Sequence, residues 1–211
     1  MDGNNRWSQK NNTTKIFSYK KGVSKILTLS KLIFTEYKVP YVSAFALSSH
    51  NLNRSKNFIS IIINTIKQFI NEYDKFDIGY KIKFIGDLSF INDSKIISDL
   101  KKIESNNSVS KFKLIVFINY SGTTELNNAA KLISKIKPKN FNLHSYLMTS
   151  DIPDPDILIR SGGFSRISDF MLYQLSFTEL FFIKKLWPDF TKNDLKNIID
   201  KFLKLERKFG I

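Results

Sequence analysis

An α/β fold, with a mostly parallel central sheet covered by helices on both faces, is the architecture this sequence predicts. Three observations carry that expectation. Short apolar runs of strand length alternate with longer segments of helical periodicity. Apolar residues make up 42% of 211 residues, enough for a sizeable core, which excludes wholesale disorder. No apolar run, the Phe58 to Ile63 segment included, approaches the roughly 20 residues of a membrane span.

The elements follow in order. Met1 to Trp7 is polar and turn-rich, and Asn11 to Thr14 reads as loop. After Tyr19, apolar residues at Val23, Ile26, Leu27, Leu29, Leu32 and Ile33 have helical spacing. Tyr41 to Leu47, after Pro40, reads as a buried strand that opens into the polar segment Ser48 to Arg54. Phe58, Ile62, Ile66 and Phe69 mark a helix. Ile78, Tyr80, Ile82 and Phe84 alternate as a strand does, ending at Gly86-Asp87. Ile96, Ile97, Leu100 and Ile103 predict a helix, and Phe112 to Ile118 a strand. Leu126 to Ile136 is helical until Pro138, and Phe141 to Leu147 a short helix. Pro153 and Pro155 stiffen a turn before the strand Ile157 to Ile159. A short strand near Leu180 to Phe182 and an amphipathic helix from Lys192 to Arg207 close the chain. No repeat or boundary interrupts it, so residues 1–211 are expected to form one domain.

The net charge is +14, which favours anionic partners, although the lysines are scattered rather than gathered into one block. The chain has no cysteine, so disulfides and thiolate metal sites are excluded. No charged-then-apolar leader is present, and a cytoplasmic protein is expected.

One stretch concentrates chemistry. The strand Ile157 to Ile159 delivers Arg160 into the turn Ser161-Gly162-Gly163, and Arg166 follows. Ser168 suits a helix N-cap, with Asp169 in the first turn. Two guanidinium forks, a hydroxyl and free backbone N–H groups at a helix start predict an anion site. In parallel sheets such sites lie beyond the carboxyl ends of the strands. Glu179, set in an apolar sequence, needs a partner, and a metal ion is one candidate.

Three motifs, MDGNNRW at the start, AFALSSHNLNR in the middle and DILIRSGG…RISDFMLYQLSFTEL…WPDF near the end, resemble the cis-prenyltransferase family, which includes undecaprenyl diphosphate synthases. The resemblance covers nearly the whole chain in order, and the closing LERKFG fits it too. It implies a transferase that condenses isopentenyl diphosphate with an allylic diphosphate such as farnesyl diphosphate. The product would be a cis-polyprenyl diphosphate, a carrier-lipid precursor. It also implies Mg²⁺, a homodimer, an apolar tunnel for the growing chain and peripheral membrane contact through the product.

By resemblance, Asp2 holds Mg²⁺ on the allylic diphosphate, and Gly3, Asn4, Asn5 and Arg6 cradle its phosphates with Lys15 and Tyr19 nearby. Trp7 lines the tunnel mouth. Arg160, Arg166, Ile167 and Ser168 bind the isopentenyl diphosphate, and Glu179 completes the metal site. Asn51 matches the asparagine assigned to proton removal; an amide is a poor base, so positioning or relay is expected of it. Ser48, Ser49, His50, Leu52 and Arg54 match the rest of that substrate loop.

The chain departs from the pattern at several points. The family's first strand, before the aspartate-glycine turn, is missing: either the start lies upstream or the protein runs without that strand. Asn5 stands for a glycine, Lys15 for an arginine, Tyr19 for a histidine, His50 for a glutamate and Leu52 for a tryptophan. Phe164 and Ser165 replace a polar pair. Two other readings compete. One is a non-catalytic partner subunit of the same fold. The other is a basic nucleic-acid-binding protein, for which neither a stacking platform nor a groove-reading helix is visible, so no nucleic-acid partner is expected.

Overall fold

The computed structural model describes residues 1–52, 55–73, 79–106 and 110–207. Among these residues five strands form: β1 (Tyr41–Ser48), β2 (Lys81–Ile85), β3 (Lys113–Tyr120), β4 (Ile157–Arg160) and β5 (Glu179–Phe182). Six α-helices accompany them: α1 (Asn4–Lys10), α2 (Lys15–Leu32), α3 (Lys56–Tyr73), α4 (Ser94–Glu104), α5 (Gly122–Ile136) and α6 (Lys192–Phe202). All strand pairings are parallel. The strands divide into a sheet ordered β1-β3-β2 and a pair β4-β5. Among the described residues no strand joins β1 to β4, so each keeps one edge without a strand partner.

β3 is the centre of the larger sheet, and its sequence explains why. Leu114, Ile115, Val116, Phe117 and Ile118 are all buried, the continuous apolar run of a strand covered on both faces. The period of two sends alternate residues to opposite sides. Leu114, Val116 and Ile118 join a core with Leu27 of α2, Ile62, Ile66 and Phe69 of α3, and Ile96, Leu100 and Ile103 of α4. Ile115 and Phe117 pack with Tyr120, Ile152, Phe170 and Met171. A third cluster places Ile157 and Ile159 of β4 against Trp187, Phe190, Leu195 and Ile198, so α6 covers the smaller pair.

Helix ends follow their caps. Thr14, Asp93 and Ser121 each accept a backbone N–H at the starts of α2, α4 and α5, and Thr191 forms a reciprocal capping box with Asp194 at α6. Four expectations are corrected. Asn4 to Lys10 is helical rather than turn. The helix expected after Ser168 is absent: residues 168–178 run through bends into a turn over 172–177. α6 stops at Phe202, and Arg207 pairs instead with Asp156. Phe141 to Leu147 yields only a 3₁₀ turn over Leu143–Tyr146. Ile78, from the expected second strand, lies outside the described residues.

Beneath the sheet, Glu125 ties α5 to the later chain. It is 2% exposed. Its Oε1 accepts from the Thr149 backbone N–H and hydroxyl, and its Oε2 accepts from the Tyr120 hydroxyl and Gln174 Nε2. Burial, with Glu125 beside it, pushes the Tyr120 hydroxyl far above its ordinary pKa, so it stays protonated and donates. Glu125→Ala strands these buried donors and is expected to cost about 2–4 kcal/mol, read by urea unfolding. Glu125→Gln, which keeps the shape and one acceptor, is expected to cost less.

Candidate active site

The site forms where β4 ends. Arg160 is the last residue of that strand, and its side chain is 14% exposed. Nη2 lies 3.0 Å from Asp2 Oδ2; Nη1 donates to Ser168 Oγ at 2.7 Å and to the Arg166 carbonyl. Its Nε–H is buried and has no acceptor among the described residues. A buried donor left open costs about 1–3 kcal/mol, which an anionic oxygen could recover.

Asp2 is held by backbone as well as charge. Its N–H donates to Ser161 Oγ, the same hydroxyl donates to the Asp2 carbonyl, and that carbonyl also accepts the Trp187 N–H at 2.9 Å. Gly3, at φ 101°, turns the chain into α1 and places Arg6 Nη2 3.5 Å from Asp2 Oδ1. Gly162 has φ 95°, and a Cβ there would meet Arg6 Nη2 at 2.7 Å and the Asp2 side chain at 3.2 Å. Only glycine lets the two segments close this tightly.

Phe164 gathers the positive charge. The guanidinium carbons of Arg166, Arg6 and Arg160 lie 4.2, 4.8 and 5.6 Å from its ring centroid. Three cations would repel one another here. The ring face and the single carboxylate of Asp2 hold them together. The result is a patch with more guanidinium than carboxylate.

Two features differ from the sequence expectation. The N–H groups of Gly162 and Gly163 are not free; they donate to the carbonyls of Lys185 and Ile183. Nor does a helix dipole contribute, because Ser168, Asp169 and Met171 take left-handed backbone, φ 53°, 63° and 47°. The capping signal read at Ser168-Asp169 acts on a different helix. The Asp169 carboxylate accepts from Ser121 Oγ and from the Thr123 N–H and hydroxyl, which caps α5. His50 Nε2 adds a contact at 3.1 Å. Burial pushes the Asp169 carboxyl up, but the hydrogen bonds from Ser121, Thr123 and His50 outweigh it and hold its pKa below the ordinary value.

Of the residues expected at the site, Asp2, Gly3, Arg6, Arg160, Arg166 and Ser168 converge. Ile167 lies half-buried in the same loop, and Asn4 and Asn5 begin α1. Asn5 is helical, so its replacement of a glycine needs no left-handed backbone. Ser48 ends β1, and Ser49, His50 and Asn51 form a 3₁₀ turn. Only His50 among these has a hydrogen bond to the loop that follows β4. Leu52 packs on the main core, Lys15 is exposed at the start of α2, and Arg54 lies outside the described residues. Tyr19 lines an apolar cavity with Val23, Leu47, Ile62, Ile66 and Trp187. That cavity measures only about 80 Å³. Trp7 does not line it; its Nε1 donates to Asp189 at 2.6 Å and its ring meets Phe17 and Lys21.

Glu179 is not brought to Asp2 within the chain. It opens β5 opposite Ile157, whereas Asp2 sits by Arg160 at the far end of the pair, three strand residues or about 10 Å away. Among the described residues no group of three or more His, Asp or Glu could hold a metal ion. Sequence reasoning treated Phe164 only as a departure and Asp169 as a helix residue. The aromatic ring between Arg160 and Arg166 was the available signal for a stacking centre.

Comparison with known proteins decides the family. The prenyltransferase family model, described as undecaprenyl diphosphate synthase, matches residues 1–210. The chain belongs to that family. An isoprenyl transferase of Rickettsia typhi is 36% identical over 217 residues, covering 100% of this chain and 95% of the relative. One from Helicobacter pylori is 32% identical, with 100% and 94% covered. The crystal structure of lavandulyl diphosphate synthase from Lavandula x intermedia, in complex with dimethylallyl diphosphate, superposes with TM-score 0.88 at 26% identity, covering 100% of this chain and 95% of that one.

Two outcomes follow from this geometry. Phe164→Ala should weaken pyrophosphate binding several-fold by calorimetry, while Phe164→Tyr, which keeps the ring, should bind nearly as wild type. Because the folded Asp169 pKa lies below its ordinary 3.8, its ionised form stabilises the fold above that value. That contribution disappears as pH falls through the lower folded pKa. Acid unfolding of Asp169→Asn should therefore show a shallower stability loss in that window than wild type.

Proposed function

We propose that this prenyltransferase condenses isopentenyl diphosphate with an allylic diphosphate such as farnesyl diphosphate to make a cis-polyprenyl diphosphate. The observation that carries the reading is the convergence of Arg6, Arg160 and Arg166 on Phe164, with Asp2 as their carboxylate. In the reaction the allylic C–O bond breaks and diphosphate leaves with the electron pair. The isopentenyl double bond forms the new C–C bond, and a proton is lost from the adjacent carbon. Negative charge grows on the departing oxygens, where preorganised cations stabilise it most.

Arg160, Arg166 and Ser168 bind the isopentenyl diphosphate, and Arg160 Nε–H is a donor ready for it. Arg6, with Asn4 and Asn5 at the start of α1, serves the allylic diphosphate. Asp2 is the counter-ion of two guanidiniums without substrate; phosphate oxygens take over that pairing and release the carboxylate. Asp2 then suits Mg²⁺, which is held through one or two carboxylates together with substrate phosphates and would lower the charge of the leaving group. Glu179 of the same chain does not join that set. Asn51 positions the proton-losing carbon rather than abstracting the proton. A homodimer and peripheral contact with a membrane belong to this reading.

The second reading, a non-catalytic partner subunit, draws on the small cavity beside Tyr19. One assay separates the two. Purified chain with farnesyl diphosphate, labelled isopentenyl diphosphate and Mg²⁺ should yield extended product. Asp2→Ala should lower kcat by at least about 100-fold, with melting changed by no more than about 1 kcal/mol. Product formed only after a second polypeptide is added would establish the partner-subunit reading instead.

A further inference from the structure

Three polar segments leave the carboxyl ends of β1, β3 and β4: the turn Ser49–Asn51, residues 121–123 and residues 166–169. β1 and β3 are paired, with Ser48 opposite Tyr120, so the first two segments start side by side. The third belongs to the other sheet. Among the described residues no strand joins the two sheets, so no ladder sets the spacing between the Asn51 turn and the loop bearing Arg166 and Ser168.

One residue touches all three segments. The Gly122 N–H donates to the Asp169 carbonyl at 2.8 Å. Asp169 Oδ1 accepts from the Thr123 N–H and hydroxyl, and Oδ2 accepts from Ser121 Oγ. His50 Nε2 lies 3.1 Å from the same Oδ2. Burial pushes the Asp169 carboxyl up, but its donors hold it below the ordinary value, so it is ionised near neutral pH. An ionised carboxylate only accepts, which makes His50 Nε2 the donor. The Asp169 side chain is 15% exposed and that of His50 70%. Asp169 is therefore the fixed point, and His50 is the arm attached to it. Deeper in the fold, Phe170 stacks on Phe45 of β1 with ring centroids 4.6 Å apart. That contact fixes the loop to the strand, not to the turn beyond the strand. Asn51 makes no side-chain hydrogen bond among the described residues, so placing its amide falls to the turn itself.

We propose that His50 is a positioning residue: through Asp169 it holds the Asn51 turn at a set distance from the loop that carries Arg166 and Ser168. This role rests on the transferase reading above, in which that loop binds the isopentenyl diphosphate and Asn51 faces the proton-losing carbon. Diphosphate and carbon belong to one small molecule, so its two ends have to be met at a fixed separation. A displacement of about 1 Å can cost about 100-fold in rate. Direct contact with a phosphate is the competing role for an exposed histidine, but the Nε2–H is already given to Asp169.

Kinetics and amide exchange of His50→Ala and His50→Gln test this. His50→Ala should lower kcat about 10-fold, with KM for isopentenyl diphosphate and affinity for pyrophosphate nearly unchanged. His50→Gln, whose side-chain amide can donate to the same oxygen, should recover most of the rate. Without substrates, the Leu52 N–H, which donates to the Ser49 carbonyl inside the turn, should exchange several-fold faster in His50→Ala than in wild type or His50→Gln. A raised KM and weaker pyrophosphate binding at unchanged kcat would make His50 a phosphate ligand and overturn the proposal. So would Leu52 exchange that is the same in all three proteins. No product from the wild type would defeat the transferase reading instead, and Leu52 exchange alone would then confirm or overturn the link from His50 to Asp169.

Discussion

The contact between Asp2 and Arg160 is what the rest of this molecule is arranged around. It joins residues 158 positions apart, at 3.0 Å, with Arg160 largely sheltered and Asp2 about a third exposed. As an ion pair it is worth only about 1 kcal/mol, so charge alone does not place it. Backbone does: Ser161 bridges both polar groups of the Asp2 main chain, and Trp187 takes its carbonyl. The carboxylate is thereby fixed in a position where it compensates two arginines and can be relieved of both. A fixed group of this kind costs little reorganisation when charge arrives, which is the condition for electrostatic catalysis.

Positioning extends outward from there in two layers. Asp169 caps α5 while its own segment bends through left-handed conformations, so the loop bearing Arg166 and Ser168 is tied to the end of β3. Behind it, Glu125 gathers Tyr120, Thr149 and Gln174 and fixes α5 against the same segment. Left-handed residues other than glycine persist only when their surroundings over-determine them. Here those surroundings are two carboxylates with complete sets of donors. The parallel sheet supplies the rigid ends, and the polar networks set the direction in which the site residues point.

Much of this was legible from residues alone, and the failures have physical causes. β3 announced itself as an unbroken apolar run, and β1, β4 and β5 lay where short runs met polar turns. The motifs pointed to Asp2, Arg6, Arg160 and Arg166, and the fold brings these four side chains together although Asp2 and Arg160 are 158 positions apart. Ser168-Asp169 misled because a cap signal says that a carboxylate will satisfy helix N–H groups without saying whose. The free glycine N–H groups were misjudged because their acceptors, the carbonyls of Ile183 and Lys185, lie about 20 residues on. Glu179 was placed with Asp2 by motif, and strand register separates them. The Glu125 network was invisible for a like reason: its members share no local pattern.

The cavity beside Tyr19 has a consequence of its own. At about 80 Å³ it is far below the roughly 300–1,000 Å³ of pockets that stand ready for a ligand. Val23 of α2 and Ile62 and Ile66 of α3 line it, so a hydrocarbon longer than a few methylene groups would have to part those helices to fit. The on-rate for such a tail is then set by how often the helices separate rather than by how often the tail arrives. Entry should saturate as the tail's concentration rises, the kinetic mark of a door that opens on its own schedule.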